Sequence, residues 1–412
     1  MSYLLGLKCV SCGTEFTPTE IDYTCTRCGM LLGTLEVVYD YAAVAQELTR
    51  DSLNRNRETT HWRYIALLPV EMSKKTQLSV GWTPLYRSST LEKKLGIERI
   101  WIKDEGRNPT GSLKDRASSV GVIKAKERGA TIVTAASSGN TASSWAAFSA
   151  LAGLSAVIFI PKSTPKAKLA QMLLYDAKVL QVKGTYDDAF TLCAQVAQEW
   201  GWYNRSTATN PYLGEGKKTA ALEICEQLIW ETPDYIFVPV GDGCILQGIW
   251  KGFKEAHQIG LIDRLPKMVG VQAEGSAPLF KAWQERKKTA EPLEPHTLAD
   301  SISVGVPRDQ VKALRAVRES GGSFTAVSDD EILAAVSTLA SDVGVLAEPA
   351  GAAGFAGLRR LADDGRCSSQ DRVVVMVTGN GLKDIDGLMK ATKRRPTEIE
   401  NSIDDVRRSV GL

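Results

Sequence analysis

Five short segments of the 412-residue chain combine residue types that can do chemistry. The first is Cys9-x-x-Cys12 with Cys25-x-x-Cys28. Twelve residues separate the two pairs, and Gly13 and Gly29 follow them directly, where a tight turn wants positive φ. Four thiolates gathered by two such turns suit one tetrahedral Zn2+ in a structural role. Reduced cysteines without metal, or a redox pair, are the alternatives, and no βαβ pattern surrounds either pair to favour redox chemistry. The second segment, Gly241-Asp242-Gly243-Cys244-Ile245, follows an apolar run and opens a helical pattern. Its backbone N–H groups can wrap a phosphate; a plain glycine turn is the competing reading. The third, Ser137-Ser138-Gly139-Asn140-Thr141, offers small hydroxyls and an amide to a carboxylate or a planar ring, or else caps a helix. The fourth, Thr378-Gly379-Asn380-Gly381, closes the last apolar run and could be no more than a turn. The fifth runs from Glu105 through Gly106, Asn108, Pro109, Thr110, Gly111 and Ser112 to Lys114, Asp115 and Arg116. Lys114 falls where a helix begins. A solvated surface lysine is the ordinary reading, but desolvation near a helix N-terminus would favour its neutral amine, which Schiff-base chemistry needs.

The elements that must position these segments show in the hydrophobic pattern. Strand-like runs at 131–135, 156–160, 178–182, 235–240, 268–273 and 373–377 are mostly apolar. Helical patterns separate them, at 142–151 and at 219–231, where Ala221, Ile224, Cys225, Leu228 and Ile229 share one face. Strands without alternation are covered on both faces, which predicts an α/β fold built on open, mostly parallel sheets flanked by helices. Residues 36–80 read as charged and irregular, with 51–57 as a solvated linker or helix face. The charged end, from residue 393, reads as a surface helix or a frayed tail.

Composition narrows the function classes. A chain 43% hydrophobic and 24% charged is globular rather than disordered. Fifty basic against 48 acidic side chains leave a net charge of +2, which gives no case for nucleic acid or an anionic membrane as partner. Only Lys8 and Arg27 lie near the cysteine pairs. The first eight residues hold too short an apolar run for a signal peptide, and no apolar run approaches a membrane span. Cys193, Cys225, Cys244 and Cys367 are scattered like small core residues. A cytoplasmic location follows as the expectation.

In order and spacing, the lysine segment, Ser138-Gly139-Asn140-Thr141, Asn210-Pro211-Tyr212 with Glu215-Gly216-Lys217-Lys218-Thr219, Glu348-Pro349-Ala350-Gly351 and Thr378-Gly379-Asn380-Gly381 resemble the fold-type II (tryptophan synthase β-like) pyridoxal-phosphate enzymes, and among them the threonine synthase family. The matches run from about residue 83 to 384, and family members with an N-terminal cysteine ribbon exist. The resemblance implies that Lys114 carries the cofactor aldehyde and later moves protons. It implies that Asn140 bonds the cofactor's 3′-oxygen, that Gly241, Asp242, Gly243, Cys244 and Ile245 hold its phosphate, and that Thr378 faces its pyridine nitrogen. Ser138, Gly139 and Thr141 would take the substrate carboxylate. A neutral hydroxyl at the pyridine nitrogen makes the ring a weaker electron sink, which favours elimination and replacement over transamination.

The chain departs from that family at residue 213, where a leucine replaces an arginine that helps to bind the substrate phosphate. A leucine cannot make charge-assisted bonds. Lys162, Lys166, Lys168, Arg205, Lys217 and Lys218 are the cations that could stand in, unless they are ordinary surface charges. The run Leu298-Ala299-Asp300-Ser301-Ile302-Ser303-Val304-Gly305 looks more like threonine dehydratases. The expected reaction is therefore O-phosphohomoserine and water to threonine and phosphate. The alternative is β-elimination or β-replacement on another amino acid: threonine or serine deamination, or a cysteate-synthase-like exchange of phosphoserine. A binding protein on a degenerate scaffold is a third reading, opposed by the intact lysine and glycine loops. The expected organisation is a zinc-ribbon-like segment at 1–35, a large cofactor-binding domain at 36–118 and 205–392, a small α/β domain at 119–204 and a charged tail at 393–412. An amino-acid substrate and a homodimer are the expected partners.

Overall fold

Apolar runs flanked by amphipathic or buried helices fold here into two separate sheets, with a third, smaller sheet at the N-terminus. The computed structural model describes residues 3–21, 23–71, 75–162, 164–184, 186–206, 209–392 and 394–411. The N-terminal strands are β1 (Leu4–Cys9), β2 (Glu15–Phe16) and β3 (Leu35–Tyr39), paired antiparallel in the order β2-β1-β3. The large sheet takes β4 (Leu85–Arg87) and β5 (Arg99–Asp104) from the first part of the chain. The small sheet follows, with β6 (Ile132–Ala136), β7 (Ser155–Pro161), β8 (Lys178–Val182) and β9 (Tyr203–Asn204). The chain then returns to the large sheet through β10 (Tyr235–Pro239), β11 (Lys267–Ala273), β12 (Ser323–Val327) and β13 (Arg372–Val377).

The large sheet runs β12-β11-β10-β13-β5-β4, parallel except for the edge strand β4. The small sheet runs β8-β7-β6-β9 and is parallel throughout. The predicted α/β class with two open, mostly parallel sheets is the observed one. Ile236, Phe237, Val238, Val373, Val374 and Val375 have no solvent exposure, as strands covered on both faces require. No helix among the described residues is long and apolar enough to cross a membrane.

The structure corrects two readings of the pattern. Residues 36–80, expected to be irregular, contain β3, the helices Tyr41–Glu47 and Arg50–Arg55, and a 3-10 segment His61–Leu67. These helices are too short to show a period, and Asp40, Thr49 and Thr60 cap them. His61, Trp62 and Tyr64 are buried there, and burial pushes the His61 imidazole down to about 3. The helix expected at 219–231 is Leu213–Gln227. Its first turns escaped notice because their charged side chains are buried, and Ile229, assigned to the apolar face, is exposed beyond the helix end. The C-terminal segment does form an exposed helix, Ile403–Val410. The boundary residues 1, 393 and 412 of the predicted segments lie outside the described residues.

One buried ion cluster joins the first large-sheet strands to the helices behind the lysine loop. Arg116 binds Glu105 through Nε (2.7 Å) and Nη2 (2.8 Å), and Glu223 through Nη1 (2.6 Å) and Nη2 (2.7 Å). Lys103 Nζ reaches Glu223 at 2.8 Å, and the backbone N–H of Trp82 also donates to Glu223. All four charged side chains have no exposure. Glu223→Gln would leave two buried cations undercompensated, an expected loss of about 3–5 kcal/mol. Chemical or thermal unfolding of this variant checks the expectation, and wild-type stability would contradict it.

Candidate active site

Helix N-termini and the C-terminal ends of parallel strands define the cavity. Lys114, Asn140 and Cys244 are the first residues of the helices Lys114–Glu127, Asn140–Leu151 and Cys244–Gln258, and all three line one cavity of about 560 Å3. Ala136 ends β6, Pro239 ends β10 and Thr378 follows β13; each lines the same space. Crevices beyond the carboxyl ends of parallel strands are where α/β sheets bind ligands. Ser137, Ser138, Gly139, Thr141, Gly241, Asp242, Gly243 and Ile245 complete the predicted set on the cavity wall. The cysteine cluster is separate.

The lysine loop is held from both sides. Leu113 N donates to Thr378 O (3.0 Å) and Asn380 N to Gly111 O (2.9 Å), which fastens the loop to the segment after β13. Asp115 accepts from Thr110 N (2.7 Å) and Thr110 Oγ1 (2.5 Å), so the turn closes on itself. Residues 378–381 are thus more than a turn; they bridge to Ser112 and Ala347. Enclosure, reinforced by the nearby Lys217 and Arg205 charges, pushes the Lys114 amine down to about 8. The solvated-lysine reading does not describe this side chain.

The loop before the helix Asn140–Leu151 does not cap it through a side chain: Gly139 sits at the cap position, and Ser137 Oγ accepts instead from Gly139 N. Asn140 Nδ2 donates to Glu348 Oε1 at 2.5 Å, while its Oδ1 is buried without a partner. The glycine loop 241–243 is close-packed. A Cβ on Gly241 would meet Val304 at 3.0 Å, and Gly243, at φ +94°, would press a Cβ to 2.6 Å from Ala313. Gly243 precedes the helix Cys244–Gln258 with no side-chain cap, leaving the first-turn N–H groups to an incoming acceptor. Asp242 accepts from Arg308 N (3.1 Å), and its carbonyl accepts from Asp309 N (3.1 Å).

Sequence reasoning gave no role to the charged groups of Glu348 and Arg308 on the wall. Glu348 stands between Asn140 and Lys168 Nζ (3.6 Å), and Lys168 also meets Asp300 (3.2 Å) and Ser301 Oγ (3.2 Å). Arg308 reaches Asp187 at 2.7 Å and lies over the Phe190 ring at 4.0 Å. A solitary arginine in the otherwise uncharged stretch 301–308 was the available signal. Leu213 begins its helix fully buried, its Cδ2 2.8 Å from where a Cβ on Gly121 would stand, and it does not line the cavity.

The two sheets, the lysine at a helix start and the glycine cradle define a pyridoxal-phosphate enzyme, and residues 76–379 match the family described as "Pyridoxal-phosphate dependent enzyme". "Threonine synthase" of Methanocaldococcus jannaschii is 44% identical over 404 residues, covering 97% of this chain and 98% of that relative. "Threonine synthase" of Methanosarcina acetivorans is 41% identical, covering 98% of each. Among solved structures, an L-serine ammonia-lyase from Rhizomucor miehei superimposes with a TM-score of 0.66 at 22% identity, covering 76% of this chain and 98% of that one, a likeness of fold. The chain belongs to the threonine synthase family of pyridoxal-phosphate dependent enzymes.

The cavity fits that cofactor. It offers an amine whose proton affinity is lowered to about 8, an orphaned buried amide oxygen on Asn140, and a cradle that no side chain at 241 or 243 could share. Lys114→Ala should abolish covalent cofactor uptake, read as loss of the lysine-bound cofactor's absorption band, with little change in melting temperature. In the unaltered protein the rate of uptake should rise with pH and level off above about 8, because the proton must leave the amine before it attacks. A rate that climbs on toward the free-lysine value of about 10.4 would contradict the enclosure of this amine.

Proposed function

We propose that the chain converts O-phosphohomoserine and water to threonine and inorganic phosphate. The observation that carries this reading is a lysine, a glycine cradle and an amide loop meeting in one cavity, in a chain that is 44% identical to a threonine synthase over nearly its whole length. The competing β-elimination on an unphosphorylated amino acid has in its favour the dehydratase-like run from Leu298 to Gly305 and structural neighbours below 25% identity, a likeness of fold alone.

When bound, pyridoxal 5′-phosphate supplies the electron sink that loosens bonds at the substrate's Cα and lets the phosphate at Cγ depart. The rest falls to the protein. Lys114 would hold the cofactor aldehyde, then remove the proton at Cα and return protons later; its depressed pKa suits both tasks. Asn140, steadied by Glu348, would hydrogen-bond the cofactor's 3′-oxygen. Backbone N–H groups of Gly241, Asp242, Gly243, Cys244 and Ile245 would hold its phosphate, supported by the helix dipole behind them. Thr378 would face the ring nitrogen as a neutral partner. Ser138, Gly139 and Thr141 would take the substrate carboxylate at the start of the helix Asn140–Leu151, which orients the Cα proton toward the lysine.

The four N-terminal cysteines belong to the same reading as a structural Zn2+ site. Their sulfurs lie within 4.8 Å of one another, and none is in a disulfide. The division into a ribbon-like segment, a large cofactor domain, a small α/β domain and a tail is likewise proposed, as are a homodimer and a cytoplasmic location, on the family resemblance.

Incubated with O-phosphohomoserine, the cofactor-loaded protein should release threonine and phosphate in equal amounts. A keto acid formed from threonine or serine, with no phosphate released from O-phosphohomoserine, would point to the competing reaction. Cys9→Ser should lower bound zinc and melting temperature while leaving kcat within about twofold, since a closed four-ligand site takes no substrate. A large loss of kcat in well-folded protein would contradict a structural role.

A further inference from the structure

Among the described residues three cations line the cavity: Lys114, Arg205 and Arg308. The lysines that the sequence offered for a substrate phosphate, Lys162, Lys166, Lys168, Lys217 and Lys218, do not line it. Lys114 is the cofactor lysine of the reading above. Arg205 is fully enclosed, stands 6.0 Å from the Trp145 ring centre and has interactions of its own. Arg308 differs from both, because its charge sits at a boundary.

Arg308 lies between the turn Asp300–Ile302 and the helix Gln310–Glu319, which packs on β11 and β12 of the large sheet. Its backbone N–H donates to Asp242 Oδ1 (3.1 Å), which sets it beside the glycine cradle. The guanidinium reaches across to the helix Tyr186–Trp200, which packs on β6 and β7 of the small sheet. There Nη2 donates to Asp187 Oδ1 (2.7 Å), while Nη1 stays 4.0 Å from Asp242. The guanidinium carbon is 4.0 Å from the Phe190 ring centre and 5.6 Å from that of Tyr186. Tyr186, Asp187 and Phe190 all line the cavity. The two members of the ion pair are unequal: the Arg308 side chain is 17% exposed and that of Asp187 is 68% exposed. Ring faces hold the arginine on the wall, whereas its carboxylate partner is a rim group that returns to water at little cost.

We propose that Arg308 binds the phosphate that leaves the substrate, taking it in exchange for Asp187, and that Leu213 has no part in it. The assignment rests on the functional reading above. A planar guanidinium binds two phosphate oxygens at once, where Asp187 supplies one, and a phosphate dianion brings more charge than a carboxylate. The exchange therefore favours the phosphorylated substrate. A substrate without phosphate leaves Arg308 with Asp187 and gains nothing from it, which is how the pair selects. The two anionic ends of O-phosphohomoserine then find separate walls: the carboxylate at the loop 137–141 beyond β6, and the phosphate at residue 308 on the large-sheet side. The cofactor phosphate has backbone N–H groups of its own in the cradle and needs no guanidinium.

The test compares holoenzyme carrying Arg308→Gln, and separately Asp187→Asn, with the unaltered protein. Arg308→Gln should raise both the KM for O-phosphohomoserine and the dissociation constant of inorganic phosphate by about tenfold or more, the scale of a lost charge-assisted contact. Binding of threonine, which carries no phosphate, and cofactor retained on dialysis should be unchanged. Asp187→Asn should move the two phosphate constants the opposite way, lowering them by about threefold, because it removes the competitor for the guanidinium. A pair that merely clasps the two walls would weaken phosphate binding in both variants, so a rise in Asp187→Asn would overturn the proposal. Release of cofactor from Arg308→Gln would assign the arginine to the cofactor phosphate and overturn it too, as would equal weakening of threonine and phosphate. If Arg308→Gln does not fold, Arg308→Lys, which keeps charge but loses the fork, provides the same separation. Failure of the unaltered protein to form threonine would sink the functional reading alone, because inorganic phosphate binding to its holoenzyme, and the opposite shifts in the two variants, are measured independently by calorimetry.

Discussion

The site depends on four charges that never meet water. Arg116 and Lys103 face Glu105 and Glu223 in a cluster where every member is fully enclosed. Desolvating four charges is expensive, and only complete pairing with good geometry offsets it. That requirement makes the cluster a positional constraint: the strand that ends in Asp104, the loop through Gly81 and Trp82, and two helices must meet at fixed distances. Lys114 lies two residues before Arg116, on the turn of helix that this arginine anchors. The lysine amine therefore stands where the cluster puts it, and its own helix can begin without a side-chain cap because other contacts fix the turn.

A second buried cluster extends the same logic to the N-terminal sheet. Glu215 accepts from Lys218, Lys251 and Tyr39, and Lys251 also donates to Val37 O at 2.7 Å. Tyr39 and Val37 lie on β3, so the three-stranded sheet is fastened to the helices beneath the cavity. The neighbouring glycine explains the tightness. A Cβ on Gly216 would stand 1.7 Å from Arg116 O, so the helix Leu213–Gln227 rests directly on the backbone that carries the first cluster. The two charge clusters are joined by a contact that only glycine permits.

Much of this was legible in the sequence, and the limits have physical causes. The strands β6, β7, β10, β11 and β13 were visible because burial on both faces leaves largely apolar runs. Lys114, Asn140, the glycine cradle and Thr378 were visible because turn chemistry and a family pattern mark them. What stayed hidden was charge turned inward. The pairing of Arg116 and Lys103 with Glu223 did not show, since a spacing along the chain says nothing about a partner 107 or 120 residues away. The same blindness lost the first turns of the helix Leu213–Gln227, whose buried lysines imitate a solvated face. Leu213 shows the converse: an aligned position suggested a lost phosphate contact, and the packing against Gly121 shows a side chain committed to the interior.

The distribution of charge around the cavity also constrains what can occupy it. Three helix N-termini, those at Lys114, Asn140 and Cys244, open on one space, and each favours negative charge nearby. Glu348 answers part of that field, but Lys168 and Asn140 already draw on it. Arg205 and Lys217 add positive charge on the same side as the lysine and suppress its protonation. The two sheets supply separate places for anionic groups: the glycine cradle beyond β10 on the large sheet, and the hydroxyl-lined loop beyond β6 on the small one. Because Lys168 reaches from the helix Lys166–Leu174 to Asp300 and Glu348, the relative position of the two sheets is tied to the same carboxylate that steadies Asn140. Neutralising the cavity and setting the distance between its walls are therefore one electrostatic problem, solved by the same few side chains.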